Sequence, residues 1–221
     1  MRPKLIVDKT AAVTPRVTAA VVSAHLDRMS VPYNVIGYAD WMTEYPYKPN
    51  ARFRIAHTGT SILLEYSITE DSVRAVAAHD NGRVWEDSCC EFFFAPADDG
   101  LYYNIEANCA GRVLVGCGEG RAGRTHAPST TVALIDRWSS LGDKPFEERE
   151  GVCSWRMALV IPVGVFFRHE IKSLDGMQSK ANFYKCGDKL RRPHFLSWSE
   201  ISTDKPDFHR PEFFGDIRFG R

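Results

Sequence analysis

Two tryptophans stand in sequence surroundings that suit ligand binding. Trp85 lies in the run 84–88 and Trp198 in the run 195–199, and polar, turn-forming residues flank both. We expect each indole to keep one face open, because its ring is apolar while its edge carries one N–H donor. Two open faces across a gap would suit a sugar ring, which has apolar C–H faces and a rim of hydroxyl groups. The two residues therefore predict a slot that holds one pyranose.

A row of polar side chains follows one predicted strand. Between residues 102 and 108, Asn104 and Glu106 lie two positions apart and therefore share one strand face. Amide and carboxylate groups form paired hydrogen bonds with neighbouring hydroxyls, so this face predicts a floor that binds sugar hydroxyl groups. An ordinary solvent-facing strand has the same pattern, and that alternative stays open.

Two further residues join the predicted site. Glu91 precedes three phenylalanines, and a carboxylate in that position must emerge at a strand end or face a polar pocket, since a buried one needs a partner. A plain surface position is the alternative for Glu91. Asn182 shares a face with Tyr184 on a later predicted strand. The predicted ligand-binding residues are Trp85, Trp198, Glu91, Asn104, Glu106 and Asn182.

Short strands with turns between them must position these residues. In residues 61–69, apolar side chains alternate with mostly polar ones, which predicts a half-buried strand. Other predicted strands cover residues 52–57, 73–79, 90–95, 102–108, 112–117, 155–161, 181–186 and 194–198. Such a series predicts an all-β sandwich of the jelly-roll type.

Helical signals are confined to a few segments. The sequence predicts a short helix over residues 17–28, capped by Thr14 and Pro15, and a turn near 163–168. A strand is the alternative for the first of these segments, because Val17, Val21 and Val22 also suit a strand. Residues 31–50 are rich in proline and aromatic side chains and predict an irregular loop packed on the body. We therefore expect a single domain, with residues 1–50 as an irregular or short helical extension and residues 51–221 as the sandwich.

Composition limits the classes of partner. The 221 residues contain 28 Lys and Arg against 28 Asp and Glu, so no net charge attracts nucleic acid or a membrane surface. No stretch approaches the ~20 apolar residues of a membrane-spanning helix. The N-terminal residues do not form a secretory signal. The expected location is cytoplasmic, or outside the cell if an export signal has been removed.

The six cysteines predict neither a disulfide framework nor a zinc centre. The chain is long enough to need no disulfide staples, and we expect all six to be reduced and mostly buried. No Cys-x-x-Cys pair occurs, so the sequence does not predict a structural zinc site and assigns no metal ligand.

Two motifs resemble a known family. The run 84–94 is similar to the Trp-x-x-Asp-Ser-Val-Glu motif of family 9 carbohydrate-binding modules, and residues 197–199 with 213–219 resemble that family's C-terminal Ser-Trp motif and closing strand. The resemblance covers about residues 51–219 and implies a β-sandwich that holds a sugar between two indoles. Trp85, Trp198 and Glu91 match its motif positions. Asn104, Glu106 and Asn182 fall where its polar ligands lie.

The same resemblance also allows a structural calcium ion, whose ligands the sequence does not identify; no other cofactor is expected. The leading hypothesis is therefore non-catalytic binding of a saccharide. The identity of the sugar and the oligomeric state stay open.

Three other functions stay open. A glycosidase would use Glu91 and Glu106 as its two carboxyl groups, with Asp87 nearby. A haem-binding sandwich would need axial ligands such as Met157 and either His57 or His79. A protein-interaction domain would use the two indoles as a hot spot.

Overall fold

The structure is a computed structural model that describes residues 2–10 and 17–221. The predicted helix cap, Thr14 and Pro15, lies outside these residues. The strands are β1 Lys4–Lys9, β2 Asn34–Val35, β3 Asn50–His57, β4 Ser61–Ala75, β5 Cys89–Ala95, β6 Tyr102–Asn108, β7 Val113–Gly118, β8 Thr125–His126, β9 Asp136–Ser139, β10 Phe146–Pro162, β11 Gln178–Cys186, β12 Phe195–Ser197 and β13 Gly215–Phe219. The helices are α1 Ala19–Arg28 and α2 Ser129–Val132, with 3₁₀ turns at Val84–Glu86, Val163–Val165 and Pro211–Phe213.

The strands form two layers that one strand joins. The first sheet has the order β8-β7-β6-β5-β11-β13-β1, and the second has the order β1-β3-β4-β10-β9. The short strands β12 and β2 add to β11 and β3. The first residues of β1 run parallel to β13, and its last two run parallel to β3. The predicted all-β sandwich is confirmed.

The N-terminal segment is more deeply integrated than the sequence suggested. β1 supplies hydrogen bonds to both sheets, so the boundary at residue 50 does not separate an extension from a sandwich. The strand is short, charged residues stand at both of its ends, and Val7 is its one fully buried residue, so the sequence carried little signal for it. The helix predicted over 17–28 is present as α1.

Helix α1 covers the outer face of the second sheet. Val22 and Leu26 are buried against Leu63, which lies on that face of β4. Arg54 extends from β3 toward the helix and donates from Nη1 to Asp27 Oδ1 at 2.6 Å. This cover explains why β4 is buried on both faces rather than half-buried as its alternation predicted. Within the described ranges, no helix has the length and apolar character needed to cross a membrane.

Aromatic side chains fill the space between the two sheets. The rings of Phe53 and Phe183 stack at 3.6 Å between centroids and join the layers directly. The strand period of two sends Phe92 and Phe94 into this interior and leaves Phe93 on the outer face of the first sheet. Alternation along β5 therefore builds the core on one side and a second surface on the other.

The outer face of the first sheet carries its own apolar cluster. Phe93 and Tyr184 lie there, and the C-terminal segment before β13 crosses over them, with Phe208 stacked on Tyr184 at 4.1 Å. Trp41, from the aromatic-rich loop, donates from Nε1 to the Thr203 carbonyl at 2.8 Å and holds that segment in place. Beside this cluster, towards β6 and β7, the same face becomes polar.

Candidate functional site

The polar row of the first sheet consists of Glu91, Asn104 and Glu106. Antiparallel pairing of β5 with β6 places Glu91 directly opposite Glu106 on the outer face. Asn104 follows on the same face and donates from Nδ2 to Glu106 Oε1 at 2.8 Å. The residue opposite Asn104 on the neighbouring strand β7 is Gly116, where an added Cβ would lie 2.5 Å from Asn104 Oδ1. A glycine is therefore required at that position to leave room for the amide.

Arg124 holds the polar row in a defined orientation. Its Nε donates to Asn104 Oδ1 at 2.9 Å, its Nη2 donates to the Tyr102 carbonyl at 2.9 Å, and its guanidinium lies 4.3 Å from the centre of the Tyr102 ring. Asn104 is thereby fixed with its oxygen toward Arg124 and its nitrogen toward Glu106. The second carboxyl oxygen of Glu106, Oε2, is buried and has no hydrogen-bond partner among the described residues.

The two facing carboxyl groups have raised pKa values. Glu91 is 2% exposed and Glu106 is 5% exposed. Burial, followed by the nearby charge of Glu106, raises the pKa of Glu91 well above its usual value. Burial raises the pKa of Glu106 to about 7, although Asn104 and Arg124 favour its charged form. Burial therefore favours the neutral acid form of Glu91, and at neutral pH Glu106 is close to its midpoint.

The rim of the row is formed by the turn that carries Trp85 and by the loop after β11. The Asp188 amide donates to the Trp85 carbonyl at 3.2 Å, which ties the two segments together. Trp85 is partly exposed and packs on the apolar cluster of this face. Desolvation raises the pKa of Asp188 to about 6, while Arg121 acts to lower it. Arg121 also lies 3.9 Å from Asp207 in the C-terminal segment.

This arrangement can present an apolar ring beside hydrogen-bonding groups. A family model described as carbohydrate-binding family 9 matches residues 20–219, which is most of the chain. The chain belongs to carbohydrate-binding family 9. A search of curated proteins finds no match to it.

Solved structures place this family 9 chain in the same fold. It is 49% identical to a candidate carbohydrate-binding protein from Bacteroides uniformis ATCC 8492, with a TM-score of 0.95 over 99% of this chain and 100% of the other. It is 12% identical to a family 9 module from Caldicellulosiruptor kristjanssonii in complex with cellotriose, with a TM-score of 0.56 over 99% and 95% of the two chains. A structure with glucose gives 12% identity and a TM-score of 0.55 over 99% and 97%. The last two likenesses show the fold alone.

The structure brings together four of the six predicted site residues of this family 9 chain. Trp85 lies at the rim, and Glu91, Asn104 and Glu106 form the polar row of the same sheet face. Trp198 does not join them, and the predicted slot between two indoles is not formed. Trp198 is 8% exposed and belongs to the interior between the sheets, with edge contacts to Phe53 and Phe183 at 6.0 and 5.6 Å.

The polar neighbours of Trp198 explain why the sequence was misleading. Ser197 and Ser199 are themselves buried, and Ser199 Oγ donates to the Phe213 carbonyl at 2.6 Å. Polar groups of these serines find hydrogen-bond partners inside the protein, so the serines do not indicate that the indole between them is exposed. Leu196 and Trp198 alternate with these serines onto the inner face of the sheet.

The side chain of Asn182 is also bonded to the backbone inside the fold and does not face a ligand site. Its side chain is fully buried, and its Oδ1 accepts from the backbone amides of Phe183 and Ser199, each at 2.9 Å. Its Nδ2 donates to the Ser199 carbonyl at 3.0 Å. These bonds use the amide to hold the chain after β12 against β11, so the structure corrects its assignment as a ligand contact.

Sequence reasoning missed the charged groups that surround the row. Arg124 lies in the segment between β7 and β8 and donates to Asn104 Oδ1 at 2.9 Å. Asp188 follows β11 by two residues and was not singled out. Both residues lie in loops at strand ends, and the sequence alone does not define which way such a loop turns. Their proximity to a strand that carries polar residues on one face was the available signal.

In the part of the chain that the structure describes, acidic side chains do not gather into a group of three that could hold the predicted calcium ion. Calcium takes six to eight oxygen ligands. Within the described residues, the group of at least three metal-ligating side chains that lie together contains Cys89, Glu91 and Cys186, and two thiols do not suit this cation. The carboxylate of Asp87 already accepts three hydrogen bonds, from Val76 N, Ala77 N and Asn108 Nδ2. The calcium ion stays a prediction without assigned ligands.

The residues named for a haem site do not lie together. Met157 pairs opposite Tyr66, while His57 pairs opposite Ile62, and these partners are ~13 Å apart along β4 at the usual strand rise. Met157 and His57 are both buried in the core, and His79 lies on an exposed loop. Axial coordination of one haem by these side chains is therefore unsupported.

Proposed function

We propose that the outer face of the first sheet binds a saccharide without catalysis. Trp85 would stack on the apolar face of a sugar ring, and Glu106, Asn104 and Glu91 would bind its hydroxyl groups. The carrying observation is that Trp85 is the partly exposed indole on the same sheet face as the polar row. Family membership and the carbohydrate-binding relatives support this proposal.

The buried oxygen of Glu106 gives the proposed site a reason to take a hydroxyl donor. A buried acceptor without a partner costs ~1–3 kcal/mol, and a sugar hydroxyl that reaches it would recover part of that cost. Glu106 Oε2 is such an atom in the described part of the chain. The formal net charge of zero also suits an uncharged ligand better than a phosphate polymer.

Weak binding is expected from these contacts. Stacking on one aromatic ring contributes ~0.5–1.5 kcal/mol beyond area burial, and each hydrogen bond contributes ~0.5–1.5 kcal/mol. Their sum corresponds to dissociation constants in roughly the micromolar to millimolar range. Because the structures from Caldicellulosiruptor contain cellotriose and glucose, these neutral sugars are the first ligands to test.

The geometry favours binding over glycoside hydrolysis. Directly opposed residues on antiparallel strands have Cβ atoms ~4.5–5.5 Å apart, so Glu91 and Glu106 project side by side from the same sheet face. Glu91 Oε1 already accepts from Cys186 Sγ at 3.1 Å, so only the other oxygen of this carboxyl group is left to meet a ligand. A glycosidase needs two carboxyl groups that reach opposite sides of a bound sugar.

Calorimetric titration with glucose, cellobiose and cellotriose tests this proposal. Trp85→Ala is expected to weaken binding at least about tenfold, because it removes the stacking surface, which corresponds to ~1.4 kcal/mol or more. Trp138→Ala is the matched control, since Trp138 is also partly exposed but lies on β9 of the second sheet. All titrations contain a chelator. Equal affinities in Trp85→Ala and wild type, or no binding of any sugar by wild type, would contradict the proposal.

A second prediction concerns pH. Sugar affinity is expected to rise about fivefold between about pH 6 and pH 8, because an ionised carboxylate accepts stronger hydrogen bonds than a neutral acid. The pKa of Glu106 is about 7, that of Glu91 is raised well above its usual value by burial, and Asp188, with a pKa of about 6, ionises at a slightly lower pH than Glu106. Glu106→Gln should remove most of the slope and leave any contribution of Asp188. An unchanged slope in Glu106→Gln would exclude Glu106 as the acceptor.

A further inference from the structure

Three potential metal ligands meet beneath the rim of the proposed sugar site. The Sγ atoms of Cys89 and Cys186 and a carboxyl oxygen of Glu91 all lie within 4.8 Å of one another. Strand pairing produces this group, because Cys89 stands directly opposite Cys186 and Glu91 lies two residues further along β5 on the same face. The three residues are between 0% and 2% exposed.

We propose that Cys89, Cys186 and Glu91 bind a thiophilic divalent cation, with zinc as the best fit. Two thiolates and one carboxylate are a ligand set that zinc accepts in tetrahedral coordination, and it is too soft for calcium or magnesium. The inference does not rest on saccharide binding, although the two proposed sites share Glu91. It was hidden in the sequence because the two cysteines are 97 residues apart and meet only through the pairing of β5 with β11.

Tetrahedral coordination needs a fourth ligand beyond these three. Glu106 stands directly opposite Glu91, and its Oε2 is one of the buried side-chain atoms without a hydrogen-bond partner in the described structure. Glu106 lies outside the group whose ligand atoms are within 4.8 Å of one another, so it would complete the set only after its side chain turns towards the cation. A bound cation and a bound saccharide would then compete for Glu106, which is why the sugar titrations include a chelator.

The chemistry of metal binding here is an exchange of protons for a cation. Burial raises the pKa of Cys89 to about 12 and raises the pKa of Cys186 well above its usual value, so both thiols are protonated in the metal-free protein. Binding of one cation would release both thiol protons and the proton of Glu91 to solvent. The cation would compensate two of the three resulting negative charges, so that the site would carry one net negative charge instead of three.

Cobalt titration of the purified, reduced full chain tests the site directly. Binding of one cobalt ion per chain should produce intense thiolate-to-metal charge-transfer absorption and the visible bands of tetrahedral cobalt, and zinc should abolish both signals. Cys89→Ala and Cys186→Ala should each lose the charge-transfer signal. Cys90→Ala is the matched control, because Cys90 is equally buried but faces the interior between the sheets.

The measurement on wild type does not depend on the stability of the variants. Absence of the charge-transfer signal in the reduced wild-type chain would overturn the proposal, as would its persistence in Cys89→Ala. A native mass lower by two hydrogen atoms, with Cys89 and Cys186 joined in peptide mapping, would assign the pair to a disulfide and also overturn it. None of these three results would change the sugar binding measured with a chelator present.

Discussion

Trp198→Ala is expected to destabilise the fold by about 3–5 kcal/mol and to leave saccharide binding intact in the folded fraction. Trp198 is buried between the sheets, where its indole contacts Phe53 and Phe183 edge to face. The backbone of β13 also packs closely on it, since a Cβ at Gly215 would lie 2.6 Å from the Trp198 ring. No neighbouring element can collapse into the volume of an indole without disturbing both sheets. Urea unfolding followed by circular dichroism measures the change.

Two control variants separate this effect from ligand binding. Trp198→Phe keeps an aromatic ring in the interior and should cost less than Trp198→Ala. Trp85→Ala should cost about 1 kcal/mol, because that indole is only partly buried. A Trp198→Ala variant that keeps wild-type stability but loses sugar affinity would contradict the interior position and restore Trp198 as a ligand contact.

Lys185→Met is expected to destabilise the protein by about 3–5 kcal/mol. Lys185 is fully buried, and its Nζ lies 2.8 Å from Glu70 Oε2, so this ion pair joins β11 of the first sheet to β4 of the second. Burial lowers the pKa of Lys185, but the Glu70 carboxylate outweighs burial and holds that pKa above its usual value. Removing the ammonium would leave a buried carboxylate without its counter-charge.

His194 completes this buried cluster as a neutral acceptor. Burial, followed by the charge of Lys185, lowers the pKa of His194 well below its usual value. Its Nε2 therefore accepts from the Lys185 ammonium at 2.7 Å, and its Nδ1 donates to the Arg192 carbonyl at 2.9 Å. The arrangement orients the ammonium without adding a second positive charge.

The double variant Glu70→Gln with Lys185→Met provides the control. Glutamine keeps an oxygen for the Trp155 Nε1–H, which donates to Glu70 Oε1 at 2.7 Å in the wild type. Because the double variant contains neither charge of this buried pair, it should recover most of the stability that Lys185→Met loses. If Lys185→Met costs less than about 1 kcal/mol, or if the double variant is no more stable than the single one, the ion pair does not have this role.

Period-two patterns located the central strands, but they identified neither short strands such as β1 nor what covers each strand face. The alternation in residues 61–69 identified β4, yet the helix α1 that buries its outer face is specified by contacts such as Arg54 with Asp27. β4 also continues to Ala75 and absorbs the start of the strand predicted at 73–79. Local pattern indicates which residues share a face, whereas the cover over that face depends on distant segments.

The candidate site was predictable where strand geometry alone decides the position. Asn104 and Glu106 share a face because they are two residues apart, and Glu91 joins them through the register of β5 with β6. Trp198 and Asn182 were misassigned because polarity in the sequence does not distinguish a group that faces solvent from one satisfied by buried backbone. The contacts of Arg124 depend on the path of a loop, which the sequence does not encode in any simple period.

A proton–nitrogen correlation spectrum of the indole groups during a cellobiose titration tests the central assignment most directly. The chain contains five tryptophans, so each indole N–H gives its own signal, which single substitutions assign. We predict that the Trp85 signal shifts in proportion to saturation, while the signals of Trp198 and of Trp155, which is bonded to Glu70, stay in place. A shift confined to Trp198, or a saturable calorimetric response with no change at Trp85, would contradict the assignment of the sugar to the outer face of the first sheet.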